Sequence, residues 1–162
     1  MFEDRGGYKI KGLKLFDTND GYAFSASVYL NGKKVGSVQN SGHGGPNSYD
    51  PVIPKGMKPE AYRKANDAFI KGLQAQALKI DPTATFETED LLIGALVDDF
   101  ENEKRFKRLC KTKVLFRLKG DDKGEYRTIS VKFSNEVKAK VLDQYKKQGK
   151  EIIEFLNEKL VG

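Results

Sequence analysis

The chain of 162 residues has one cysteine, one histidine and no tryptophan. The single cysteine, Cys110, excludes an intramolecular disulfide, and so few histidine and cysteine residues give no zinc-type cluster. No apolar run approaches the roughly 20 residues that a membrane-spanning helix needs, and the first residues do not show the apolar segment of a signal peptide. We therefore expect a cytoplasmic protein that does not insert into a membrane.

Charged residues are abundant in the sequence. It contains 29 lysine and arginine residues against 23 aspartate and glutamate residues, which gives a net charge of +6. The pI is about 9.2, the mean hydropathy is -0.59 and 38% of the residues are hydrophobic. A basic chain favours acidic partners, namely nucleic acid, a nucleotide or an acidic protein surface. The length predicts a single compact domain over residues 1–162 that can bury a sizeable core.

The N-terminal part of the chain predicts a three-stranded meander. Residues 8–16 favour a first strand, and residues 33–39 return as the third, with Gly36 as a candidate bulge. The dipeptide Asn31-Gly32 predicts a two-residue hairpin turn, because a type I′ turn needs positive φ at both positions. Between the first and third strands, the side chains alternate with a period of two residues, which predicts a strand with one buried face. That face is formed by Tyr22, Phe24, Ala26, Val28 and Leu30.

The rest of the chain alternates between helical and extended patterns. Residues 46–59 contain four prolines and predict an irregular surface segment. Helices are predicted over residues 59–80 and from residue 88, and a second hairpin over residues 113–133. A helix beginning at Ser134 or Asn135 and a last amphipathic helix from residue 152 to residue 160 complete the order β-β-β-α-α-β-β-α-α. This order predicts an α+β fold, with two hairpin units in one antiparallel sheet and the helices packed on one face.

The most distinctive segment is residues 40–47, which set the only histidine among three glycines. Successive backbone N–H groups in a glycine-rich turn can form an anion-binding concavity, and an imidazole can add a charge-assisted bond. No lysine-serine pair is present and no helix begins at once, so this is not a phosphate-binding P-loop. The alternative is a tight connecting loop. The ligand-binding interpretation predicts a site formed by Asn40, Gly42, His43, Gly44, Gly45, Asn47 and Tyr49.

Charges are segregated along the chain. Residues 87–103 contain acidic and no basic side chains, and residues 104–119 contain basic and no acidic ones. On the second hairpin, the alternation places basic and aromatic side chains opposite the apolar face, as in platforms that hold single-stranded nucleic acid. The alternative is a solvated face whose cations pair with the acidic segment upstream. The candidate nucleic-acid-binding residues are Lys113, Arg117, Lys119, Tyr126 and Lys132.

Catalysis is the weaker interpretation. Cys110 and His43 with an asparagine would be a minimal thiol-nucleophile set, but Cys110 lies at an apolar helical position, where a buried cysteine is ordinary. The acidic residues between 98 and 103 are spread around a helix axis, so they favour a solvated face over a metal site. We assign no catalytic residue, no cofactor and no metal ligand, and we favour a binding protein over an enzyme.

Two parts of the chain resemble a group of small bacteriophage-type proteins. The first is Gly-Lys-Lys-Val at residues 32–35 followed by Asn-Ser-Gly-His-Gly-Gly at residues 40–45. The second is Leu-Phe-Arg-Leu-Lys-Gly at residues 115–120 with Glu-Tyr-Arg-Thr at residues 125–128. The resemblance implies a setting, the cytoplasm of an infected bacterial cell, and it implies no mechanism.

The expected function combines this setting with the charge. Small phage proteins often bind host factors, defence components or nucleic acid, so we expect an accessory or host-modulating factor that contacts nucleic acid or an acidic host protein. The alternative is a small enzyme or ligand-sequestering protein that binds a phosphate-bearing molecule at residues 40–47. The sequence leaves the oligomeric state open.

Overall fold

A computed structural model describes residues 3–160 of the chain. Contacts divide the chain into two compact units, one over Asp4–Phe100 and the other from Glu101 onward together with Glu3. The helices and antiparallel sheets of these units confirm the predicted α+β class and the approximate order of elements. The assignment of the chain to one domain stays a prediction, and the two units are described in turn. None of the helices in the described part is long and apolar enough to cross a membrane.

The first unit contains the predicted meander, extended by one strand. Asn31 and Gly32 have φ values of 49° and 82°, which confirms the two-residue turn. The segment predicted to be irregular, residues 46–59, contributes a short strand at the sheet edge, where a proline costs no ladder hydrogen bond. The sheet is antiparallel and has the order β1 (Tyr8–Thr18), β2 (Gly21–Leu30), β3 (Lys33–Ser41) and β4 (Ser48–Pro51).

Two long helices follow this sheet, α1 (Pro59–Ile80) and α2 (Thr88–Cys110), and α1 and the first part of α2 pack against it. Helix α1 begins at a proline, whose missing N–H costs nothing in the first turn. The core of the unit lies between the sheet, α1 and the first part of α2, and its fully buried side chains include Val28, Leu73 and Ile93. Apolar burial at roughly 25 cal/mol per Å² is the main force that holds these layers together.

The face of β2 predicted to be buried is only partly enclosed. Ala26 and Val28 are buried, whereas Phe24 and Leu30 are half-buried and pack against the core. Tyr22 is 62% exposed, because it lies at the end of the strand beside the β1–β2 turn. The prediction of a buried face is therefore right for the centre of the strand and wrong at Tyr22.

Strand β3 bulges one residue from the position that the sequence indicates. Val28 lies opposite Gly36 and Tyr29 opposite Lys34, so Val35 is the extra residue. A Cβ on Gly36 would lie 2.4 Å from Cε1 of Phe69 in α1. Glycine is needed there because the helix packs directly on the strand.

The second unit is built around a three-stranded antiparallel sheet of its own. Its strands, in spatial order, are β6 (Arg127–Ile129), β5 (Val114–Leu118) and β7 (Ile152–Phe155), and its helices are α3 (Asn135–Lys147) and α4 (Leu156–Leu160). The predicted second hairpin is present, and the Ser134 side chain caps α3 by accepting a hydrogen bond from Val137 N at 3.2 Å. The two hairpin units thus belong to two sheets.

The predicted last helix is wrong over its first four residues. Residues 152–155 form β7, and only the last five positions of the segment are helical. A short apolar segment fits both patterns, and pairing decides between them: Phe155 lies opposite Phe116 in the central strand.

Strand β5 is buried on both faces. Val114, Phe116 and Leu118 pack with α3 and β7 on one side. On the other side, Leu115 packs against Phe106 and Cys110 of α2 and against Leu156. A central strand covered twice needs apolar residues at successive positions, which is what residues 114–116 provide.

Candidate functional site

The glycine-histidine loop connects β3 to β4. Gly42 has a φ of 76° and is buried, and a Cβ at this position would lie 2.6 Å from Cγ2 of Thr18. The Thr18 hydroxyl donates to the Gly42 carbonyl at 2.6 Å, which fixes the loop against the β1–β2 turn. Glycine is therefore required at Gly42 both by the backbone conformation and by the close packing.

The Asn40 side chain holds the loop in shape from inside. Its Nδ2 donates to the Gly45 carbonyl at 3.0 Å and to Asn47 Oδ1 at 2.9 Å, and its Oδ1 accepts from Gly42 N at 2.7 Å. Short polar side chains commonly bond nearby backbone in this way. Because the Gly42 N–H is used within the loop, it is not a free donor for an anion.

Tyr49 and Asp90 extend this network to helix α2. The Tyr49 hydroxyl donates to Asp90 Oδ1, Asn47 N donates to Asp90 Oδ2 at 3.3 Å, and Asn47 Nδ2 donates to the Tyr49 oxygen at 3.4 Å. Burial and the Asp90 carboxylate raise the pKa of Tyr49, so the phenol stays protonated and keeps donating. Tyr49 thus serves the structure of the loop.

Sequence reasoning missed Asp90 as part of this site. The sequence indicates it only as an acidic residue in the first turn of a helix, where carboxylates are common. Its link to Asn47 spans 43 residues of sequence, and no local pattern encodes such a contact.

A groove of about 420 Å³ opens beside the loop. Asn40, Gly42, Gly44, Gly45 and Asn47 form one wall, so five of the seven predicted ligand-binding residues line a common cavity. His43 is exposed and Tyr49 is buried, and neither lines the groove. The other walls come from the β1–β2 hairpin and from α2: Leu15, Asp20, Tyr22, Phe24, Asp90, Gly94, Val97 and Asp98.

The charge of this groove is negative. Asp20, Asp90 and Asp98 line it, and no lysine, arginine or histidine does so among residues 3–160. A phosphate would meet carboxylates there, which disfavours the phosphate-bearing ligand expected from the glycines. We call this cavity the acidic groove.

The predicted basic platform on the second hairpin is not one open face. Arg117 is half-buried, and its Nε lies 3.2 Å from Glu154 Oε2, while Lys159 reaches the other oxygen of that carboxylate at 2.6 Å. Burial by itself raises the pKa of Glu154, but the hydrogen bond and charge of Lys159 and the hydrogen bond of Arg117 act in the opposite direction, and the pKa lies below its ordinary value. Arg117 is therefore occupied within the fold.

Tyr126 is turned inward as well. Its ring meets that of Phe106 edge to face, with 5.2 Å between centroids, and burial together with the nearby Glu154 carboxylate raises its pKa to about 12. Lys119 is exposed and pairs with Glu151 at 3.2 Å, Lys132 is exposed, and Lys113 is half-buried. The expectation of one solvent-facing surface is wrong, because Leu115 on the same side of β5 is covered by α2 and α4.

No protein family, no curated protein and no solved structure matches this chain. The resemblance to bacteriophage-type proteins stays a prediction from the sequence.

Proposed function

We propose that this protein binds nucleic acid through its second unit, by electrostatic contacts to phosphates. The observation that carries the proposal is the division of charge. Residues 101–162 contain 17 lysine and arginine residues and 10 aspartate and glutamate residues, whereas residues 4–100 contain 12 of each kind. The excess positive charge of the chain therefore belongs to the second unit, and a local excess attracts polyanions more strongly than the same charge spread evenly.

Many of these cations are free to meet a ligand. Within the described part of the second unit, nine basic side chains have no carboxylate within 4.0 Å. All but Lys113 are exposed. The nine are Arg105, Arg108, Lys111, Lys113, Lys123, Lys132, Lys140, Lys146 and Lys150.

The end of helix α2 offers a cluster of exposed cations. Lys104 and Arg108 are four residues apart, so they lie on one side of the last turns of α2, and Lys111 follows the last residue of the helix; all three are exposed. Lys104 lies 3.9 Å from Glu101, and its side chain is 74% exposed, so that exposed pair holds it weakly. We therefore assign contact with the phosphates to this set, together with Lys119 and Lys132, in place of the hairpin face.

The mode of binding follows from which groups are exposed. Lysine and arginine contacts to phosphate position a protein on nucleic acid without reading its sequence. Tyr126, the aromatic residue expected to stack on bases, packs against Phe106 instead. We therefore propose binding that is insensitive to sequence. In a bacteriophage setting, such a protein would act as an accessory factor on phage or host nucleic acid.

The test is a titration of labelled DNA and RNA of two unrelated sequences, followed by fluorescence anisotropy between about 50 and 200 mM salt. We expect the affinity to fall steeply with salt. Replacing Lys104, Arg108 and Lys111 with glutamine should weaken binding to all sequences alike and reduce the log–log salt slope by about two to three, at roughly 0.7 to 0.9 for each lost phosphate contact.

The matched control removes the same charge from the first unit. Lys33, Lys34 and Lys55 are exposed and lie in residues 4–100, so their replacement with glutamine should change the slope much less. Equal losses in both triple variants, or no salt-dependent binding at all, would overturn the proposal. Binding to an acidic protein with no binding to nucleic acid would favour the host-protein alternative instead.

A further inference from the structure

We infer that the acidic groove binds a lysine or arginine side chain presented by a peptide segment of a partner protein. The groove lies wholly within residues 4–100, so the inference is independent of nucleic-acid binding by the second unit. The proposed site is the one that the glycine-rich loop indicates, but its ligand is a cation and not the phosphate-bearing molecule expected there.

The carboxylates of the groove come from two directions. Asp20 belongs to the β1–β2 turn, and Asp90 and Asp98 are about two helical turns apart on one side of α2. Among the described residues, Asp20 and Asp98 have no cation within 4.0 Å. Because residues 4–100 contain equal numbers of acidic and basic side chains, the negative charge is a local property of the groove.

Asp90 is held in a fixed position. The Tyr49 hydroxyl and Asn47 N bond its two oxygens, and it also lies in the first turn of α2. A carboxylate oriented by donors in this way loses little freedom when a cation arrives, which favours binding. Asp20 and Asp98, both exposed, supply further charge at the groove.

The remaining walls of the groove are apolar and aromatic. Phe24 and Val97 are half-buried, and Tyr22 exposes 62% of its surface. Lysine and arginine carry a cation on an apolar stem, so the stem can pack on these side chains while the head meets the carboxylates. An aromatic ring adds a cation–π contact, which arginine makes particularly well. A phosphate would be repelled by the carboxylates, and a bare metal ion would make no favourable contact with the apolar wall.

The groove also admits a main chain. Gly44, Gly45 and Gly94 line it, and a Cβ built at any of the three would meet nothing within 4 Å. Backbone without side-chain cover can be approached closely by a peptide. The volume of about 420 Å³ lies within the range of ordinary ligand clefts. These features favour a side chain on a peptide over a free amine.

The test uses the full chain and short dye-labelled glycine-serine peptides that carry two arginines, two lysines or two glutamines, in about 150 mM salt. We expect the arginine and lysine peptides to bind and the glutamine peptide to fail. Asp98→Asn should weaken binding by up to about fivefold, the upper end of the scale for an exposed ion pair, and leave the melting temperature unchanged because Asp98 is exposed. Tyr22→Ala should weaken the arginine peptide more than the lysine peptide.

The control is Asp67→Asn, which removes an exposed acidic group of α1 outside the groove. An equal loss of affinity in Asp67→Asn and Asp98→Asn would overturn the proposal, because it would show attraction by overall charge. So would equal binding of the glutamine peptide. Spermidine that competes as well as the arginine peptide would place a free amine in the groove and would overturn the peptide assignment.

Discussion

Gly42 and Gly44 have the same φ of 76°, but their surroundings differ. A Cβ at Gly42 would lie 2.6 Å from Thr18 Cγ2 and 2.7 Å from Ala23 N, whereas a Cβ at Gly44 would meet nothing. We expect Gly44→Ala to lower the free energy of unfolding by about 1 kcal/mol through backbone strain alone. Gly42→Ala should cost about 3 kcal/mol, because steric overlap adds to the same strain.

Urea unfolding of the two variants measures this difference at neutral pH. The pair is matched in residue type, loop and φ, so the excess loss in Gly42→Ala reports the overlap with Thr18 and Ala23. Equal losses would contradict the close packing of the loop on the β1–β2 turn.

Asp121 lies in the connection between β5 and β6 and is hydrogen-bonded to a residue of each strand. Its carboxylate accepts from Arg127 Nε at 2.9 Å, Arg127 Nη2 at 2.7 Å and Leu118 N at 2.9 Å. The hydrogen bonds from Arg127 and then from Leu118 lower the pKa of Asp121 from 3.8 to about 2. A carboxylate with a lowered folded-state pKa stabilises the protein above its unfolded-state pKa and loses that contribution as the pH falls through the folded-state value.

Asp121→Asn should therefore reduce stability most at neutral pH. The difference from the unmodified protein should shrink as the pH falls from about 4 to about 2, where the native carboxylate also becomes neutral. Denaturant unfolding at several pH values measures this, with Asp122→Asn, at an exposed neighbouring carboxylate, as the control. A difference independent of pH would show that charge at residue 121 does not stabilise the turn.

At the scale of elements, β5 organises the second unit because it is buried on both faces. Leu115 and Thr128 lie opposite each other in the β5–β6 ladder, but Leu115 is fully buried and Thr128 is exposed. We expect Leu115→Ala to cost about 3 kcal/mol, since it removes contacts and leaves a cavity against Phe106 and Leu156. Thr128→Ala should change stability by less than about 0.5 kcal/mol.

Chemical denaturation of both variants tests this arrangement directly. If Leu115→Ala were as mild as Thr128→Ala, this side of β5 would face solvent, and the basic platform expected from the alternation of the hairpin would be restored. A large loss in Leu115→Ala supports its covering by α2 and α4.

At the scale of the whole molecule, charge is distributed unevenly between the two units and also within the first unit. Residues 101–162 contain the positive excess, and residues 4–100 are balanced overall but gather three aspartates around one groove. The net charge of +6 alone suggests only acidic partners. The local charges support two partners of opposite sign, a polyanion for the second unit and a cationic side chain for the acidic groove.

Strong local signals in the sequence determined much of the first unit. The Asn31-Gly32 turn and the alternation along β2 depend on neighbouring residues, so pattern and turn chemistry were enough to predict them. Part of the loop of the candidate site is local as well, because Asn40 bonds both Gly42 and Asn47 within eight residues. The contacts of this loop with Thr18 and Asp90 are long-range. Contacts between residues that are close in sequence can be predicted from the local sequence.

Tertiary contacts decided the rest. Residues 152–155 became a strand because β5 offered an open edge, and Arg117 and Tyr126 turned inward because α2 and α4 cover that side of β5. The sign of charge in the acidic groove depends on Asp20, Asp90 and Asp98, which are far apart in sequence and meet only when α2 packs beside the sheet. Electrostatic character arises from distances in space, which sequence spacing does not supply.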